Sequence, residues 1–192
     1  MAFLDAFYLA SAAKMDQWPN TTLPEVLFVG KSNVGKSSLI NKLTARKKLA
    51  HVGKTPGKTR LLNFFDCKEL MLVDAPGYGY AQRSFKEQNS YQKLMEDYLL
   101  KRDNLVLVIW ILDIRRLPNE DDLLMLNWFI NTKCNFICVL NKADTLSGNQ
   151  RSKQIKTIQS VLSLPPDSFI LFSAKTSLGL TELQNSIIEV CS

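Results

Sequence analysis

The chain has 192 residues, 46% of them hydrophobic and 22% charged, which suits one compact globular core and excludes disordered, fibrous and low-complexity classes. Its formal charge of +6 points either to an anionic partner or to a solvated basic face. The longest uninterrupted apolar run, residues 105–112, is less than half of the ~20 residues a membrane-spanning helix needs, so no span is expected.

Taken in order, residues 1–24 read as an extension packed on the domain that follows, with an edge strand at 7–10. They lack a positive n-region, the first lysine is Lys14, and Asp5 interrupts the apolar stretch, so a cytoplasmic start rather than a signal peptide is expected. Apolar runs predict strands at 26–29, 61–65, 70–73, 105–112, 136–140 and 169–172. Several are apolar at successive positions, which indicates strands buried on both faces. Helical spacing predicts helices at 36–43, 85–101, 121–130, 150–162 and 181–190. In the second, Tyr91, Leu94, Tyr98 and Leu99 form a face that packs on a sheet. The third follows Pro118 and Asn119, and its acidic start, Glu120 to Asp122, suits the positive end of a helix dipole. Strand and helix alternation gives a mostly parallel α/β sheet flanked by helices on both faces, in which ligands sit at the carboxyl ends of strands. Two long loops, 44–60 and 75–84, interrupt the pattern and are expected to be functional.

The four cysteines (Cys67, Cys134, Cys138, Cys191) show no CxxC pair and are expected to be reduced. A single histidine, His51, argues against a His-rich metal site or a Ser/His/Asp triad, so any metal is expected on oxygen ligands. Between Lys31 and Arg60 lie nine basic residues and no acid, which places an anionic partner at that lobe.

Three motifs carry chemistry. Gly30-Lys31-Ser32-Asn33-Val34-Gly35-Lys36-Ser37 satisfies GxxxxGK[ST] between a strand and a helix, with Ser38 in the same helical turn. Its backbone N–H groups would cradle phosphates, Lys36 would meet the β- and γ-phosphates, and Ser37 would ligate Mg²⁺. Asp74-Ala75-Pro76-Gly77 ends a strand 38 positions after Lys36. Asp74 there can hold Mg²⁺ through water, and the Gly77 N–H can meet the γ-phosphate. Asn141-Lys142-Ala143-Asp144 matches NKxD. The Asp144 carboxylate can accept from guanine N1–H and the exocyclic amine, a donor pair adenine does not offer, which selects GTP over ATP. Ser173-Ala174-Lys175 after the last strand is placed to present the Ala174 N–H to guanine O6.

In these motifs and their order the chain resembles the P-loop GTP-binding superfamily along nearly its whole length, and the resemblance implies a Ras-like G domain at 25–192. The stretches FYLASAA, KTPGKTRLLNFF, DAPGYGYA and DIRRLPNEDD narrow it to the EngB (YihA/YsxC) family of bacterial GTPases. That resemblance implies a nucleotide switch in assembly of the large (50S) ribosomal subunit, with rRNA or ribosomal proteins as partner; the free protein is expected to be a monomer. A septation or cell-cycle GTPase that binds a protein partner is the alternative. Within Pro56-Gly57-Lys58-Thr59, Gly57 is assigned to the nucleotide and Thr59 to the Mg²⁺ shell in the GTP state, with Thr55 as second choice for the latter. Lys36, Thr59 and Gly77 carry the expected catalytic roles. The family commonly has Arg-His where this chain has Arg115-Arg116, which leaves that role open. Tyr78 stands where Ras-like proteins place a water-orienting Gln, so intrinsic hydrolysis is expected to be slow and raised by a partner or by a monovalent cation; resemblance to related GTPases with Asn at this phosphate-loop position implies K⁺, with Asn33 as its candidate ligand. A general RNA-binding domain is disfavoured, because no aromatic residue lies between Lys31 and Arg60 to stack on bases.

Overall fold

The computed structural model describes residue 3 and residues 5–50, 61–79 and 85–192, the side chains of residues 85–87 excepted. Seven strands form one sheet: β1 (Phe7–Ala12), β2 (Glu25–Gly30), β3 (Leu62–Asp66), β4 (Met71–Asp74), β5 (Leu105–Asp113), β6 (Phe136–Asn141) and β7 (Phe169–Leu171). Their spatial order is β1-β3-β4-β2-β5-β6-β7. Strands β4, β2, β5, β6 and β7 run parallel, while β3 is antiparallel to β4 and β1 antiparallel to β3. The sheet is therefore mostly parallel, as the alternation of elements requires. The N-terminal segment supplies its edge strand, two residues longer than the predicted 7–10.

Every residue of β2 is buried, because both faces of the strand are covered. Leu27 and Val29 join Val108, Trp110 and Val73 on one face, packed against Met95 and Tyr98 of α2 (Phe85–Lys101), Phe129 of α3 (Glu120–Asn131) and Ile158 of α4 (Gly148–Leu162). Val26 and Phe28 join Ile109, Ile111 and Val139 on the other, against Leu39 and Ile40 of α1 (Lys36–Leu43) and Leu183 and Ile187 of α5 (Leu180–Cys191). The period-2 alternation along each strand thus divides the core into two halves.

Helix starts follow their caps. The Asn119 side chain accepts from the Asp122 N–H, and Asp122 answers to the Asn119 N–H, so α3 begins at Glu120. Ser147 and Gln150 form the same box and start α4 at Gly148, two residues before periodicity alone places it. The N-cap of α1 is Gly35 at φ 101°, which has no capping side chain. Within the predicted loop 44–60, Ala50 is tied back to α1: the Asn41 amide donates to the Ala50 carbonyl at 2.9 Å and accepts from its N–H at 2.8 Å.

All four cysteines are free thiols, and burial pushes Cys67 up to about 12. No helix among the described residues is long and apolar enough to cross a membrane.

Candidate functional site

The carboxyl ends of β2, β4, β5, β6 and β7 lie along one edge of the sheet, and the motifs meet there. The loop 30–35 leaves β2 and turns into α1. A Cβ on Gly35 would lie 2.4 Å from Asn141 Nδ2, and φ 101° strains any L side chain, so this position admits only glycine. Asn141 Nδ2 donates to the Val34 carbonyl at 2.9 Å. The Asn of NKxD is thus a brace for the phosphate loop.

Lys142 is the second brace. Held at φ 64°, it donates from Nζ to the Asn33 carbonyl at 2.9 Å and to Asp113 Oδ2 at 2.9 Å. Register explains the pairing, because Asp113 of β5 stands opposite Asn141 of β6. Arg115 closes a fork on the same carboxylate, with Nε to Oδ1 at 2.8 Å and a terminal nitrogen to Oδ2 at 2.6 Å. Burial pushes the Asp113 carboxyl up, but the hydrogen bonds from Arg115 and Lys142 outweigh it and hold the group at about 2. The sequence reading missed Asp113. Its signal was present: an acid at the end of the central strand, one strand from NKxD.

At the ends of β6 and β7, Ser173, fully buried, donates from Oγ to Asp144 Oδ1 at 2.7 Å and accepts from the Thr176 N–H at 3.1 Å. Ser173 therefore orients the carboxylate expected to meet guanine. Ala174 is half-buried beside it and Lys175 is exposed.

On the phosphate side, Lys36 forms an ion pair with Asp74, both largely buried. Ser37 and Ser38 follow in the first turn of α1, partly accessible. Asp74 ends β4, and the turn beyond it lies on the phosphate loop: Ser32 N–H donates to the Tyr78 carbonyl and Tyr78 N–H to the Gly30 carbonyl, each at 3.3 Å. A Cβ on Gly77 would meet Ser32 Oγ at 2.8 Å and Ser32 N at 2.9 Å, so this contact also demands glycine.

Two side chains in or next to the phosphate loop point away from it. The Lys31 side chain leaves the loop, and its Nζ donates to Asn119 Oδ1 and to Asp122 Oδ2, the latter at 2.5 Å. Tyr78 is buried, donates from its hydroxyl to Asp122 Oδ1 at 2.8 Å and accepts from Trp110 Nε1 at 2.8 Å. Its ring sits in the core, where it cannot take the water-orienting place. Asn33 is exposed at φ 64°. A cavity of about 350 Å³ opens beside it, lined among others by Asp113, Arg115, Arg116 and Lys142. Thr55, Gly57 and Thr59 lie outside the described residues.

A family model described as a 50S ribosome-binding GTPase matches residues 25–142. A probable GTP-binding protein EngB from Clostridium perfringens (strain 13 / Type A) is 44% identical over 184 residues, 95% of this chain and 93% of that protein. The chain belongs to the EngB family of GTP-binding proteins. A second EngB relative, from Desulfatibacillum aliphaticivorans, is 42% identical over 192 residues, covering 100% of this chain and 94% of its own. Among solved structures, a probable GTP-binding protein engB superposes with a TM-score of 0.72 at 24% identity, over 87% of this chain and 98% of that one. As a member of this GTPase family the protein binds GTP and hydrolyses it, on a P-loop fold.

Proposed function

We propose that this EngB-family GTPase acts as a nucleotide switch in assembly of the large ribosomal subunit, with the site at the strand ends as its GTP site. In this reading residues 25–192 form the GTP-binding unit, and 1–24 are an extension packed on it. Gly30, Lys31, Ser32, Asn33, Val34, Gly35, Lys36, Ser37 and Ser38 surround the phosphates, chiefly through main-chain N–H groups at the start of α1. Asp144, oriented by Ser173, reads the guanine edge, while Asn141 and Lys142 hold the phosphate loop against that reader. Ala174 presents its N–H to O6, with Lys175 beside it.

The donor set fits Mg²⁺. Ser37 and Asp74 offer hard oxygens, and among the described residues no cluster of three or more His, Cys, Asp or Glu forms a closed cage. Mg²⁺ commonly takes one or two protein oxygens together with nucleotide phosphates and water. When bound it neutralises charge between the β- and γ-phosphates. Ser37 would be a direct ligand, Asp74 would act through water, and Thr59 would complete the shell. Lys36, now paired with Asp74, carries the cation that phosphates would share. Gly77 places its N–H for the γ-phosphate.

Hydrolysis then depends on positioning and charge compensation rather than on a protein base. The ring of Tyr78 is engaged in the core, so stimulation is assigned to a partner or to K⁺ held by Asn33. Initial rates measured in KCl and in NaCl, with and without large subunits, are expected to differ; equal rates under all four conditions contradict this assignment.

The observation that carries the ribosomal reading is the run Arg46, Lys47 and Lys48, exposed just beyond the C-terminal end of α1, within the stretch matched by the 50S ribosome-binding family model. Contacts to RNA phosphates weaken steeply with salt. Cosedimentation of the protein with large subunits is expected to be stronger with a GTP analogue than with GDP and to be lost as salt rises. Nucleotide-independent, salt-insensitive pelleting contradicts the proposal and favours a protein partner.

A further inference from the structure

We infer that Tyr78, Asp122 and Lys31 form a clasp that sets the position of Gly77 against the phosphate loop, making Tyr78 and Asp122 positioning residues for GTP hydrolysis. The inference rests on the assignment of Gly77 to the γ-phosphate made above.

The clasp joins three segments distant in sequence. Tyr78 belongs to the turn after β4, Lys31 to the phosphate loop and Asp122 to the first turn of α3. Asp122 is 3% exposed, and both its oxygens are used: Oδ1 accepts from the Tyr78 hydroxyl, Oδ2 from Lys31 Nζ and from the Asn119 N–H at 2.9 Å. The Tyr78 hydroxyl also accepts from Trp110 Nε1, so it is held from two sides. Burial and the Asp122 charge push the phenol well above its ordinary value, so it remains a donor to that carboxylate.

Packing alone does not call for this arrangement. A phenylalanine would fill the same apolar volume without burying a hydroxyl and a carboxylate, whose desolvation must be offset by hydrogen bonds. What the polar groups add is direction. Two of the backbone hydrogen bonds between the turn and the loop measure 3.3 Å, at the long end of the range. Gly77 is so close to Ser32 that no Cβ fits between them. A shift of the neighbouring Tyr78 by a fraction of an ångström therefore moves Gly77 relative to the γ-phosphate while leaving the guanine reader and the start of α1 in place.

The test uses the full chain and compares wild type, Tyr78→Phe, Asp122→Asn and the double variant. Three quantities are measured: affinity for fluorescent GDP, affinity for a non-hydrolysable GTP analogue, and single-turnover hydrolysis of GTP. Tyr78→Phe is expected to slow hydrolysis on the order of tenfold and to weaken the GTP analogue, because small misplacements of a positioning group are costly. GDP affinity should stay within about twofold, a split that a general loss of stability does not produce. Asp122→Asn, which keeps the volume and one acceptor, should show the same pattern more weakly and stands in if Tyr78→Phe does not fold. The double variant should be no slower than the slower single one, since both break one linkage. Unchanged hydrolysis in both single variants, effects that multiply in the double, or a parallel loss of GDP and GTP affinity would each overturn the clasp. Failure of the wild type to bind GTP would instead remove the site assignment beneath it.

Discussion

At Asp113 two opposing effects meet in one side chain. Partial burial disfavours the carboxylate, and the hydrogen bonds from Arg115 and Lys142 favour it more strongly, so the group titrates at about 2 rather than 3.8. A carboxyl whose folded value lies below its unfolded one contributes stability above the unfolded value, and the contribution is lost as pH falls through the folded value. Asp113→Asn is accordingly expected to melt below wild type at pH 7, with the difference shrinking from pH 4 towards pH 2. A melting difference that stays constant over that interval contradicts the account. The same substitution removes one of two anchors from Lys142, so nucleotide affinity at neutral pH should fall along with stability. Ser173 stands in a similar relation to Asp144: neither touches its partner by sequence proximity, and each makes the partner's position definite.

The phosphate loop and α1 show how far local chemistry reaches. Gly35 combines a left-handed backbone with a 2.4 Å approach to Asn141 Nδ2, so Gly35→Ala costs about 1–2 kcal/mol in backbone strain alone. It also pushes away the amide that donates to Val34. Fluorescent GDP titration of that variant is expected to show at least a tenfold loss of affinity; binding equal to wild type would mean that Asn141 is no brace. Helices α1 and α2 have the bounds their periodicity predicts, 36–43 and 85–101. Helix α4 was legible only in part, since its start is set by the Ser147–Gln150 box rather than by apolar spacing. The site was legible wherever a motif encodes backbone geometry, as at Gly30 to Ser37 and Asn141 to Asp144. It was not legible where side chains meet through strand register or helix docking. Lys31 reads as a phosphate-loop residue, yet its ammonium lies on α3, and the acids at 120–122 read as dipole partners, yet Asp122 reaches Tyr78 and Lys31.

Across the whole molecule the sheet sorts function to one edge and anchorage to the other. At the opposite ends of the strands Glu25, fully buried, pairs with Arg102 and accepts from the Tyr98 hydroxyl, while Arg102 also donates to the Pro19 carbonyl at 2.9 Å. That cluster fastens the end of α2 and the N-terminal segment to β2, and β1 adds its strand at the sheet edge. The carboxyl ends of the strands are left to carry loops, the usual place for ligands in open α/β sheets. Five strand ends converge there, with Gly30, Asp74, Asp113, Asn141 and the Ser173 loop braced against one another by the hydrogen bonds described. On the proposed reading this edge is one guanine-nucleotide site rather than a set of separate loops. Titration with fluorescent GDP, competed by GTP, GDP and ATP, on wild type and Asp144→Asn in parallel, tests it most directly. Competition by guanine nucleotides alone, with that preference lost in Asp144→Asn, is the predicted result; equal competition by ATP in the wild type would contradict it.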